Sequence, residues 1–167
     1  PLDWPIRSRK EKPLKEILSV KCFRIGVYPE IYIGEYNQIT QEILNEESGL
    51  YAFNPDLIII FNDTKNVLGE TFFSFYSPGK NSAEWVNDSL KQFQLLIGKL
   101  KSSFNCKVLV HDLEVPIYSP LGILENKQNF GFIESVQEFN KELKQLYKED
   151  NQVFVFNYEL FCSRIGK

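Results

Sequence analysis

The sequence predicts an α/β fold, a three-layer sandwich whose mostly parallel sheet carries helices on both faces. Residues 57–61, 108–110 and 153–156 are short runs of apolar side chains, as expected of buried strands. Between them lie longer segments with apolar residues at spacings of three and four, the pattern of amphipathic helices. Strands separated by helices imply right-handed crossovers between parallel neighbours.

Taken in order, Leu2, Trp4 and Ile6 alternate but Pro5 interrupts them, so 1–12 reads as an N-terminal segment with a weak strand. Pro13 opens a helix carrying Leu14, Ile17, Leu18, Cys22 and Ile25, and Gly26 stops it. Residues 28–33 read as a strand ended by Gly34. Ile39, Ile43 and Leu44 mark a short helix that runs into the polar stretch 45–49. Asn54-Pro55-Asp56 then turns into strand 57–61. A helix from Val67 to Phe73 precedes the loop Ser77-Pro78-Gly79. Asn81 and Glu84 form a capping box for a helix with Trp85, Ser89, Phe93, Leu96, Ile97 and Leu100 on one stripe, ending near Ser103. After strand 108–110, a long loop passes through Pro116, Pro120 and Gly122. Ile133, Val136, Phe139, Leu143 and Leu146 define the next helix, and a final one spans 159–164 beyond strand 153–156. No repeat or linker divides 13–167, which reads as one domain.

The chain of 167 residues carries 19 basic and 22 acidic side chains, a net charge of −3. That mild acidity argues against a nucleic-acid or anionic-membrane binder. The basic run from Arg7 to Lys12 has no interleaved aromatics and reads as a solvated terminus. Cys22, Cys106 and Cys162 form no CxxC pair, which disfavours a disulfide scaffold or zinc site and suits a cytoplasmic setting. The run 57–61 is far shorter than the roughly 20 apolar residues needed to span a bilayer. An opening Pro1 and the absence of Met read as an excised piece or a processed start.

In a parallel α/β sheet, ligands gather beyond the carboxyl ends of the strands. Those ends are Gly34-Glu35-Tyr36-Asn37, Asn62-Asp63-Thr64, His111-Asp112 and Asn157-Tyr158. His111 is the single histidine, readable either as a structural group or as a general base. No Gly-rich phosphate loop and no cluster of metal ligands is present, so no metal site is expected. His111-Asp112-Leu113-Glu114 matches the Asp-x-Asp phosphatase motif poorly, because the second acid is Glu and no Thr follows in place.

Two resemblances are more specific. Residues 55–60 followed by Asn62-Asp63 resemble the third block of the SGNH hydrolases, whose Asn donates into an oxyanion hole. The Asp-x-x-His block that supplies the base there has no match near the C-terminus. Glu35-Tyr36-Asn37-Gln38-Ile39, Gln41-Glu42-Ile43-Leu44 and Ser48-x-Leu50-Tyr51-x-Phe53-x-Pro55-Asp56 resemble the N-terminal domain of FkbH-like proteins, members of HAD subfamily IIIC. Pro116, Leu121-Gly122, Glu125, Lys127, Asn140-Lys141-Glu142-Leu143 and the terminal Ser163-Arg164-Ile165-Gly166-Lys167 continue the series.

The resemblance implies an SGNH-like domain over 13–167 that precedes a HAD phosphatase-like domain, absent from this chain. It implies a part in loading a small acyl unit of the glyceryl type onto an acyl carrier protein, in polyketide or related biosynthesis. The domain itself would bind or dock, with no cofactor of its own; the alternative is an SGNH-type esterase. The residues nominated for catalysis are Ser8, near the end of the family's first strand, Asn62 and His111. Those nominated for ligand binding are Tyr36, Asn37, Gln38, Asn62, Asp63 and Asp112. Tyr36, Asn37 and Gln38 read equally as caps of the helix that follows them, and Leu50, Tyr51 and Phe53 as core or interdomain contacts.

Overall fold

The computed structural model describes residues 7–35, 37–64, 67, 82–119 and 121–165, which fall into two compact units, 1–54 and 55–167. In the first unit, α1 (Arg7–Phe23) begins ahead of Pro13, because the basic run contains good helix formers. Its exit is the one the sequence signals. Gly26 adopts φ +77°, its N–H reaches the Phe23 carbonyl at 3.1 Å, and the Val27 N–H reaches Cys22 at 3.0 Å. These are the two bonds of a Schellman motif.

Residues 28–33, expected as a strand, pair with no described strand. Pro29 removes one ladder donor, and Tyr28 stands 80% exposed. The side chains serve a corner instead. α2 (Ile39–Leu44) and α3 (Gly49–Phe53) are joined there by the Ser48 hydroxyl, which donates to the Glu42 carbonyl at 2.8 Å. The Tyr51 hydroxyl donates to Ile43 at 2.8 Å, and that of Tyr32 to the Glu42 carboxylate at 3.1 Å. The Tyr32 ring stacks on Phe53, with centroids 5.7 Å apart. Gly49 permits this approach, since a Cβ there would collide with the Tyr32 hydroxyl.

The second unit is a parallel α/β layer. Its elements are β1 (Leu57–Ile60), α4 (Ser82–Ser103), β2 (Lys107–His111), a 3-10 turn (Gly122–Lys127), α5 (Phe132–Leu146), β3 (Val153–Phe156) and α6 (Tyr158–Ile165). The strands lie in the order β1-β2-β3, all parallel, with Ile58 beside Val108 and Val108 beside Val153. Right-handed crossovers that step twice in one direction place α4 and α5 on one face. On that face Ile58, Ile60, Val108, Val110 and Val153 are buried, as are Phe93, Ile97 and Leu100 of α4 and Val136, Phe139 and Leu143 of α5. The Phe93 and Phe139 rings meet edge-on at 5.5 Å.

The other face is apolar too, yet Leu57, Ile59 and Phe154 are each about half exposed. Among the described residues, then, this second face is covered at its carboxyl end, where Tyr158 and Phe161 of α6 pack on His111 and Phe156, and open over Leu57, Ile59 and Phe154. The expected helix 67–73, apart from Val67, lies outside the described residues, as do residues 2–6 and Asn81.

The loop after β2 is fixed at its far end by Glu125 in the 3-10 turn. That carboxylate is buried and accepts the Ile133 N–H at 2.9 Å and the Ser119 hydroxyl. It thereby supplies the acceptor that Gly131, the N-cap of α5, lacks. A Cβ on Gly131 would strike the same carboxylate. The Glu134 side chain reaches back to the Gly131 N–H at 2.8 Å, completing the N-terminus of α5.

Candidate functional site

The carboxyl ends of β1, β2 and β3 form one edge of the second unit, where parallel register brings Asn62, His111 and Tyr158 together. The Asn62 backbone N–H donates to His111 Nε2 at 2.8 Å, and His111 Nδ1 lies 2.5 Å from the Asp112 carbonyl. An imidazole that accepts at Nε2 and donates from Nδ1 is neutral. Burial, the larger influence, pushes the His111 pKa down, against a smaller upward pull from the Asp112 carbonyl and charge. Phe61 and Tyr158 enclose the ring, with centroids 4.3 and 4.8 Å from it. The Tyr158 hydroxyl is pushed up to about 12, first by its hydrogen bond with Cys162 and then by burial, with Glu114 and Asp63 adding to the rise. It is therefore a neutral phenol near pH 7.

Asp112 points the opposite way, as strand alternation requires. It is fully buried, its Oδ1 accepts the Glu159 N–H at 2.9 Å, and its Oδ2 lies 2.7 Å from Lys144 Nζ. The first contact places a carboxylate at the N-terminus of α6, where the helix dipole favours it. Asn157 Oδ1 accepts the Leu160 N–H at 3.0 Å in the same turn.

The segment 112–115 is clamped residue by residue. Asn140 of α5 accepts the Leu113 N–H and donates to the Leu113 carbonyl, both at 2.7 Å. Thr64 Oγ1 donates to the Glu114 carbonyl at 2.9 Å, and Glu159 accepts the Val115 N–H at 2.7 Å. The loop backbone is thus held by side chains from three other segments. Such clamping fixes the backbone geometry of the strand ends. No group of metal-ligating side chains occurs among the described residues.

Of the nominated residues, Asn62 and His111 meet directly. Asp63 is exposed close enough to influence Tyr158, whereas Asp112 serves the α5–α6 side. Asn37 and Gln38 belong to the first unit, exposed, with Asn37 at φ +59° in the turn before α2. Tyr36 lies outside the described residues. Ser8 falls inside α1. The clamps by Thr64 and Glu159 and the Lys144 ion pair were not foreseen from sequence. For Lys144 a signal existed: Asn140 sits on the buried stripe of α5 with Val136, Phe139 and Leu143, and Lys144 follows one turn later on the same face.

The sheet and its clamped strand ends define a parallel α/β domain that offers polar groups at its strand ends, with both ring nitrogens of His111 engaged by backbone groups. Residues 22–167 match the family described as FkbH, N-terminal domain, and the chain belongs to that family. No curated protein matches the chain. A similar solved structure is the N-terminal part of the protein BF1531 from Bacteroides fragilis, which contains a phosphatase domain complexed with Mg. It aligns with a TM-score of 0.69 and 22% identity over 86% of this chain. The match takes in 36% of the other protein, so this chain spans about a third of that structure's length.

Proposed function

We propose that this domain works beside a HAD phosphatase-like domain in a longer protein and helps load a small acyl unit, of the glyceryl type, onto an acyl carrier protein. Its own part is docking and binding. The observation that carries this reading is the bonding of His111, whose two ring nitrogens are both engaged with backbone groups. Activating a nucleophile would require breaking the Asn62 contact. Membership of the FkbH N-terminal family supports the setting, and the phosphatase domain in the BF1531 structure supports the neighbour.

The reading includes an SGNH-like, three-layer form of one domain over 13–167. Leu57, Ile59, Phe61, Phe154 and Phe156 stand on the sheet face that a further layer would cover, and so large an apolar face is seldom left to water. The residues proposed to bind ligand are Tyr36, Asn37 and Gln38 of the first unit and, separately, Asn62 and Asp63 of the second. The Asn62 side-chain amide has no hydrogen-bond partner among the described residues, and Asn37 is exposed.

Calorimetric titration of the parent protein with acyl carrier protein and with phosphorylated acyl donor tests this. Asn37→Ala and Asn62→Ala should keep the fold and weaken one of the two affinities by roughly twofold to tenfold each, the worth of one hydrogen bond. Unchanged affinity for both ligands in both variants removes the proposed site.

A further inference from the structure

The loop from β2 to α5 leaves and returns at the carboxyl edge of the sheet, since β2 and β3 are parallel and α5 runs back between them. It is held at both ends. At its start Asn140, Thr64 and Glu159 bind the backbone of Leu113, Glu114 and Val115. Further on, the Ser119 hydroxyl donates to the buried Glu125 carboxylate and accepts the Leu121 N–H at 3.1 Å, and the Ser119 carbonyl accepts the Gly122 N–H at 3.0 Å. Gly122 turns the chain there at φ +53°, a conformation that favours glycine. The turn brings the arm that carries Ile117 and Tyr118 back towards the one that carries Ile123 and Leu124.

What this fixed loop displays is apolar. Ile123 is 88% exposed and Tyr118 83%, and Ile117, Leu124 and Phe130 are exposed with them. Within 115–131 only Glu125 and Lys127 are charged, against 25% of the whole chain, and Glu125 is buried. Aromatic and aliphatic side chains with few charges are the make-up of an interface core. A loop fixed beforehand loses little conformational entropy when it is covered.

We propose that this loop is the docking surface for the phosphatase-like domain of the same longer protein. The inference rests on the reading above that such a domain shares the chain, and it names the surface that receives it. The size of the surface favours a tethered occupant. A partner free in solution, or a second copy of this chain, needs about 800 Å² and roughly 20–30 residues on each side. A single loop does not supply that. A domain in the same chain is present at millimolar effective concentration, and inter-domain interfaces start at about 600 Å². The family is that of an N-terminal domain, and the BF1531 structure, of which this chain spans about a third, contains a phosphatase domain. Docking here sets that domain at the same sheet edge as Asn62 and Asp63.

Hydroxyl-radical labelling of Tyr118 in the parent protein tests this, with the linker between the two domains intact or cut at an inserted protease site. Tyr118 should be protected in the intact parent, and cutting followed by dilution should raise its labelling severalfold, because the effective concentration is lost. Ile123→Asp in the intact parent should raise it as much, and so exposed a position tolerates the substitution without loss of the fold. Leu95→Asp, at a position 74% exposed on α4, should leave it unchanged. Equal labelling before and after the cut, protection that varies with protein concentration, or an Ile123→Asp parent that labels like the wild type overturns the proposal. The reading beneath it fails separately, if the parent sequence holds no phosphatase-like domain.

Discussion

At the residue scale, His111 shows what protonation does to this edge. The neutral ring accepts the Asn62 N–H at Nε2, so a proton placed there opposes two donors and breaks the contact. Burial already holds the His111 pKa below its usual value of about 6.5. With the folded value below the unfolded one, the unfolded chain binds the proton more readily. The stabilisation is complete above about pH 6.5 and is lost as pH falls through the folded pKa. NMR titration of the ring should give a midpoint below about 6.5. The urea midpoint of the wild type should fall over that interval, and His111→Gln should flatten this part of the profile. A ring that titrates above the usual value would show that the Asn62 contact does not exist in solution.

At the element scale, periodicity located the second unit well. Strands 108–110 and 153–156 match β2 and β3, the helix ending near Ser103 is α4, and the stripe Ile133 to Leu146 is α5. Those elements bury one face against each other, and that burial is what an apolar pattern records. Residues 28–33 read as a strand but are apolar for a different reason, because Tyr32 packs on Phe53 and bonds Glu42. The site was legible only in part. A strand end can be read from sequence, but the Asn62–His111 contact depends on the register of β1 against β2, and the two residues lie 49 positions apart.

The sheet itself gives a test at this scale. Ile60 is buried against α4 and α5, so Ile60→Asp should cost several kcal/mol out of a typical domain stability of roughly 5–15 kcal/mol. Ile59 points to the opposite face. If a third layer covers that face, as proposed, Ile59→Asp should cost a similar amount. Denaturant unfolding of both variants decides it, and an Ile59→Asp protein with near wild-type stability would leave the sheet with one helical layer.

At the scale of the whole molecule, the two classes of function make opposite demands on the same groups. A hydrolase of the nucleophile–His–acid kind needs a base free to take a proton from its nucleophile. The chain has one histidine, and its Nε2 is occupied by a backbone N–H within the second unit. Ser8, the nominated nucleophile, lies within α1 of the first unit. The Tyr158 hydroxyl, on the other titratable ring at the edge, is pushed up to about 12 by its hydrogen bond with Cys162 and by burial, so it is not a base near neutral pH. A docking domain needs none of these groups free, only a rigid edge, and the clamps from Thr64, Asn140 and Glu159 supply one. The isolated chain should therefore hydrolyse p-nitrophenyl acetate at the background rate, and Ser8→Ala and His111→Gln should leave that rate unchanged. Rapid turnover abolished by either substitution would establish the esterase reading and would require the Asn62–His111 contact to open in solution.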